Sequence, residues 1–197
     1  MAEDAQPPKL TMPEAESAAV LAAYQSAEVI LEYGTGGSTV LAADLPGRRV
    51  FSVESSAEWL AMMQDWFTAQ PPKAQLVLHH ANIGPTRKWG YPASTDRVDR
   101  WSLYPISVWD RPDFRHPDVV LIDGRFRLAC ALTVLFRITR DVTVLIDDYL
   151  DRPAYNQIET LVGRPEMNGR LARFTFTPQP VPVAHLGWIM TAFASPQ

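Results

Sequence analysis

Cysteine is nearly missing from this chain, with one in 197 residues. No internal disulfide can form, so burial must hold the fold together, and a reducing cytoplasm is the expected setting. Cys130 sits among Leu128, Ala129, Ala131 and Leu132, which reads as filler on a buried helix face. Long hydrophobic runs are missing as well. The apolar stretches are short and bounded by charges, which excludes a membrane-spanning helix. There is no excess of positive charge either: 18 Lys and Arg against 22 Asp and Glu leave a net charge of −4. That balance disfavours a nucleic-acid partner, because backbone phosphates are bound by clustered cations. The opening residues, Met1-Ala2-Glu3-Asp4-Ala5-Gln6-Pro7-Pro8, are acidic and polar, unlike a secretory signal. What is present is 47% hydrophobic content, enough for one substantial core and a single domain over residues 1–197.

The most informative stretch is Val29-Ile30-Leu31-Glu32-Tyr33-Gly34-Thr35-Gly36-Gly37-Ser38-Thr39. An apolar run ends on a carboxylate and then breaks into small residues, the pattern of a buried strand, a tight glycine turn and a helix. Glycine has no Cβ to hold a ligand away from the backbone. Gly34 and Gly36 fit the first two positions of the dinucleotide fingerprint G-x-G-x-x-G, but Thr39 stands at the third. Glu32 would repel a pyrophosphate and attract an ammonium or sulfonium group. Taken alone, the stretch also fits a glycine turn with no ligand.

The rest of the chain repeats the rhythm. Arg49–Val53 ends at Glu54, about 20 positions beyond the glycine loop, where an acid is placed to accept hydrogen bonds from ribose hydroxyls. Gln75–Leu78 leads into His79-His80-Ala81-Asn82-Ile83, Asp118–Ile122 into Asp123-Gly124, and Val142–Ile146 into Asp147-Asp148-Tyr149. Each apolar run hands over to polar residues at its carboxyl end, where open α/β sheets bind ligands.

With these motifs, roughly residues 12–193 resemble the class I S-adenosylmethionine-dependent methyltransferases. The resemblance implies an α/β Rossmann-like fold, with a seven-stranded, mainly parallel sheet, a C-terminal antiparallel hairpin and helices on both faces. It further implies that Glu32, Gly34, Thr35, Gly36 and Ser38 cradle the amino-acid part of S-adenosylmethionine. Glu54 then binds the ribose, Asn82 and Ile83 the adenine, and Asp123 faces the methionyl group or the acceptor, where it is the candidate catalytic residue. Asn82 stands where an acid is usual, and its side-chain oxygen can accept the same hydrogen bond. The pattern Ile-Asp-Gly followed by Ile-Asp-Asp-Tyr is similar to metal-dependent O-methyltransferases of the catechol and macrocin type. In those enzymes the residues matching Asp123, Asp147 and Asp148 hold a cation such as Mg²⁺. They also carry a lysine base soon after the first aspartate, whereas here Arg125 and Arg127 follow it, and arginine stays protonated.

Between the strands, helices are expected from a capping box at Thr11-Met12-Pro13-Glu14 through about Tyr24, over Ser56–Phe67, over Arg125–Arg140 and over Arg152–Val162. Ala172–Thr177 and Gly187–Phe193 both look like strands and are expected to pair antiparallel. Residues 84–117 break the rhythm with Trp89, Tyr91, Trp101, Tyr104, Trp109 and Phe114 among prolines and arginines. So long a connection reads as a lid over cofactor and acceptor, or else as an insertion packed on the surface or on a second subunit. His79 and His80 read as hydrogen-bonded structural histidines before candidate bases. The expected function is methyl transfer to an oxygen of a small-molecule acceptor, with or without a metal. The alternatives are a methyltransferase-like protein that binds the cofactor without transfer and an NAD(P)-dependent oxidoreductase. The sequence leaves a homo-oligomer open.

Overall fold

The computed structural model describes residues 8–197, so the reading of residues 1–7 as no secretory signal lies outside the described part. Helix α1 (Glu14–Gln25) leads to β1 (Val29–Tyr33), α2 (Gly37–Ala43), β2 (Arg49–Glu54), α3 (Ala57–Ala69) and β3 (Gln75–His80). A short antiparallel pair, β4 (Thr86–Arg87) and β5 (Tyr91–Pro92), and one helical turn, α4 (Leu103–Ile106), fill the connection to β6 (Val119–Ile122). The chain continues with α5 (Arg127–Arg137), β7 (Val142–Ile146) and a 3-10 turn running into α6 (Glu159–Val162). It closes with β8 (Glu166–Asn168), β9 (Leu171–Phe176) and α7 (Leu186–Phe193). No helix among the described residues is long and apolar enough to cross a membrane.

The seven-stranded sheet has the order β3-β2-β1-β6-β7-β9-β8. The strands from β3 to β7 pair in parallel, whereas β9 is antiparallel to both β7 and β8. The central strands are almost uniformly apolar because both faces are covered. One face buries Tyr33, Phe51, Val120, Phe126, Leu132 and Phe176 beneath α5, α7 and the 101–114 segment. The other buries Val20, Tyr24, Ile30, Val50, Leu121 and Leu145 beneath α1 and α2. Cys130 is fully buried on α5, as its apolar neighbours suggested.

Three local expectations need correction. The stretch Gly187–Phe193 is helix, and Ile189 and Ala192, three apart, are its buried residues. The hairpin partner of β9 is β8, whose three residues are all exposed and join β9 through Gly169 at φ +58°. Helix α1 has no side-chain cap: its N-cap is Pro13, so the Thr11 capping box does not form. The helix expected over residues 152–162 is mostly 3-10, with only Glu159–Val162 α-helical.

Candidate functional site

Parallel strands place their carboxyl-end loops side by side, and here four such loops meet. The amide of Gly34 donates to the carbonyl of Val53, that of Asp123 to Tyr33 and that of Asp147 to Ile122. Gly34 has φ +108°, and a Cβ there would stand 2.8 Å from the Gly124 amide nitrogen. Gly124 is equally confined, since its own Cβ would meet the hydroxyl of Tyr104. The β1 and β6 loops therefore touch through bare backbone, which only glycine permits. Gly36 differs: nothing lies within 4 Å of where its Cβ would be. Space is open beside that residue.

Below the loop, Thr35 and Thr39 hydroxyls both meet Ser52 Oγ, at 2.8 and 3.2 Å, and Gly36 N–H donates to Thr39 Oγ1. Ser38 is buried beside them in the first turn of α2. Glu32 is fully buried, with Oε1 accepting from Tyr24 Oη at 2.6 Å and Oε2 without a partner. Burial pushes its carboxyl above the usual range, against the pull of the Tyr24 hydrogen bond. An orphaned carboxylate oxygen under a glycine loop suits a cationic ligand group above it. On the neighbouring strand, Glu54 Oε1 accepts from the amides of Ser55 and Ser56 at 2.7 and 2.8 Å. Its carboxyl, too, is raised by burial, and those amides oppose the shift. Beyond β3, Asn82 is exposed and its side-chain oxygen accepts from Gly84 N–H, while Ile83 is buried. Trp59 of α3 donates its indole N–H to the Thr35 carbonyl at 2.7 Å, a contact the sequence did not suggest.

The 84–117 connection divides into two parts. Trp101, Tyr104 and Trp109 are buried, with Trp109 Nε1 donating to Tyr33 Oη and that hydroxyl to the Pro105 carbonyl. These aromatics belong to the core and not to the surface. The Lys88–Tyr91 turn instead forms a roof. Ser55 Oγ donates to the Gly90 carbonyl at 3.0 Å, and a Cβ on Gly90 would stand 3.2 Å from Glu54 Oε1. Trp89 on this turn is 68% exposed. A cavity of about 180 Å³ lined by Leu145, Met167, Asn168 and Leu171 lies at the β8 edge, away from this end. Trp89, Phe126 and Asp148 are the non-glycine residues with positive φ among the described residues, and all three belong to these loops. Such conformations gather at ligand sites.

Asp123, Asp147 and Asp148 converge, with one carboxylate oxygen from each within 4.8 Å of the others. Arginines already fill the space between them. Arg127 Nη2 lies 3.1 Å from Asp123 and 3.2 Å from Asp148, and its other nitrogens donate to the Gly124 and Asp147 carbonyls. Arg170 pairs with Asp147 at 2.8 Å and Asp148 at 3.3 Å. Arg152 lies 3.9 Å from Asp148, so three guanidiniums face three carboxylates. As folded, the trio does not fit a resident divalent cation, because its charge is matched and admitting a metal means breaking that network. Burial raises the Asp123 carboxyl to about 7, with Arg127 and Arg170 pulling down and Asp147 and Asp148 pushing up. His79 is bonded to Ser107 at 2.8 Å and held down at about 4 by burial, Arg111 and His80. His80 meets the Ser55 carbonyl at 3.2 Å. Both histidines serve the local structure.

No family model matches the sequence, and no curated protein does. Among solved structures, a methyltransferase-like protein from Silicibacter pomeroyi DSS-3 is 50% identical. The match covers 96% of this chain and 99% of that one, with a TM-score of 0.93. The O-methyltransferase TomG from Streptomyces achromogenes, solved with its cofactor, is 16% identical over 87% and 82% of the two chains, with a TM-score of 0.56. An RNA methyltransferase from Salinibacter ruber is 14% identical over 88% and 97%, with a TM-score of 0.53. The last two share the fold alone.

Proposed function

Because the chain belongs to the class I S-adenosylmethionine-dependent methyltransferases, we propose that it binds S-adenosylmethionine across the β1, β2, β3 and β6 loops and methylates an oxygen of a small molecule. The observation that carries this reading is the pairing of Gly36 with Glu54. One leaves open space at the loop, and the other presents a carboxylate oriented by the Ser55 and Ser56 amides. The neighbours solved with S-adenosylmethionine or its demethylated product have the same fold.

In this reading the Glu32–Ser38 loop holds the amino-acid end, Glu54 accepts from the ribose, and Asn82 and Ile83 border the adenine. The bound cofactor supplies an electrophilic methyl group on a sulfonium. A hydroxyl becomes a good nucleophile only as it loses its proton, and Asp123, titrating near 7, is suited to take it at neutral pH. Arg127 fixes that carboxylate in place from 3.1 Å. The acid trio works through these arginines, so the transfer runs without a resident metal. The remaining contribution is alignment, since holding acceptor, methyl and sulfur in line supplies much of the rate. A second reading, cofactor binding without transfer, is favoured by the roof that rests against Glu54. The antiparallel β9 beside β7 disfavours the oxidoreductase alternative.

Calorimetry tests the first claim: S-adenosylhomocysteine binds and NAD does not. Binding of NAD with no response to S-adenosylhomocysteine removes the reading. Single-turnover assays over hydroxylated acceptors then separate an enzyme from a cofactor-binding protein.

A further inference from the structure

Arg125 and Arg127 leave the same turn, and the structure uses them in opposite ways. All three side-chain nitrogens of Arg127 donate to groups of the fold. Arg125 is also buried, with 8% of its surface exposed, yet no carboxylate pairs with its guanidinium among the described residues, and its buried Nε has no acceptor. Burying an unpaired charge is costly, and a ligand that supplies the missing partner offsets that cost. The Tyr91 ring faces the guanidinium, 4.2 Å from Arg125 Cζ to the ring centroid, on the turn that roofs Glu54. A cation–π contact offsets part of the desolvation and presents no negative oxygen.

The surroundings repeat the sign. Tyr155 is buried and its hydroxyl is also without a partner. Tyr155 lines a small cavity with Leu128 in the first turn of α5 and shares a core cluster with Phe126, the residue after Arg125. The charges of Arg127, Arg152 and Arg125 bear on its hydroxyl, and Tyr91 bears on both Tyr155 and Arg152. Tyr91, Arg125, Arg152 and Tyr155 thus share one neighbourhood beside Asp123. It contains a cation whose buried Nε is unmatched and a hydroxyl that is unmatched, both able to donate. Two donors without an acceptor describe half of an anion site.

We propose that the methyl acceptor is an anion, and that its carboxylate or phosphate is held by the Arg125 guanidinium and the Tyr155 hydroxyl beneath the Tyr91 ring. This rests on the methyltransferase reading above and adds the charge class of its acceptor. The planar guanidinium offers two parallel N–H groups, which match the paired oxygens of either anion. Held there, the far end of the acceptor lies toward Asp123, which begins the same turn.

The test titrates the S-adenosylhomocysteine-loaded protein with benzoate, phenyl phosphate and neutral benzamide, following backbone amides by NMR. Benzoate or phenyl phosphate is expected to shift the amides of Tyr91, Arg125 and Tyr155, and benzamide is not. Which of the two anions binds more tightly tells a carboxylate acceptor from a phosphate one. Arg125→Met should weaken the anion at least tenfold while S-adenosylhomocysteine affinity stays within twofold. Equal binding of benzamide, no binding of either anion, or an unweakened anion in Arg125→Met overturns the proposal. So does loss of S-adenosylhomocysteine affinity in that variant, because Arg125 would then grip the cofactor's own carboxylate. Wild-type protein that takes no S-adenosylhomocysteine removes the methyltransferase reading, and this proposal with it.

Discussion

Glu54 and Gly36 show how far single residues explain the site. Two serine amides fix one oxygen of Glu54, so its carboxylate is oriented before any ligand arrives. Glu54→Ala should weaken S-adenosylhomocysteine by roughly 1.5–3 kcal/mol, the scale of hydrogen bonds to a charged group. Unchanged affinity by calorimetry would show that the ribose lies elsewhere. Gly36→Val discriminates more sharply. The backbone at Gly36 is extended and the space beside it is open, so the protein should fold and melt as the wild type does. Binding should nevertheless be lost, because the branched side chain takes the ligand's room. Wild-type affinity in that variant makes the loop a structural turn only. Both residues were legible in the sequence from strand endings and small-residue spacing. The arginine partners of the acid trio were not. Arg170 lies 23 positions from Asp147, and only the β8–β9 hairpin brings the two together.

At the scale of elements, Arg127 ties the first turn of α5 to the ends of β6 and β7. Removing one member of a buried ionic network leaves the other charges unpaired, so Arg127→Met should cost about 3–5 kcal/mol in denaturant unfolding. The same network predicts that methyl transfer continues in excess chelator. Loss of turnover with EDTA and its return with Mg²⁺ would show that the arginines yield to a cation after all. The roof makes a separate prediction. Its Lys88–Tyr91 turn carries the exposed Trp89, whereas Trp101, Tyr104 and Trp109 are locked in the core. Amide exchange should therefore slow at residues 88–91 when S-adenosylhomocysteine binds and stay unchanged at 101–109. Uniform slowing across 84–117 would mean that the whole connection moves as one lid. Aromatic richness marked this stretch in the sequence. Which rings turn inward depends on the sheet face that receives them, and no local pattern encodes that.

Across the whole molecule, the parallel strands were readable because each is an apolar run ending on a polar loop residue. The C-terminal segment was misread because Trp188, Ile189, Thr191 and Phe193 have strand-like chemistry, and a run this short has no decisive period. The real edge strand, Glu166–Asn168, is exposed throughout and leaves no apolar trace. The titration of Asp123 joins fold and function at this scale. In the folded protein its carboxyl is raised to about 7, whereas unfolded it titrates near 3.9. Between those values the unfolded chain has released a proton that the folded one keeps, so rising pH favours unfolding through this group. Above about 7 both states are ionised and the cost is constant. Asp123→Asn removes the titration. Relative to wild type, the variant should gain melting temperature steadily from about pH 4 to about pH 7 and no more beyond. Turnover runs the other way: the base must be ionised, so the wild-type rate should climb through about pH 7 and level off, and Asp123→Asn should lose that limb. A rate and a stability that change in opposite senses over one window identify the same proton in both. Parallel melting profiles for the two proteins would place the titrating group elsewhere and leave Asp123 a structural partner of Arg127.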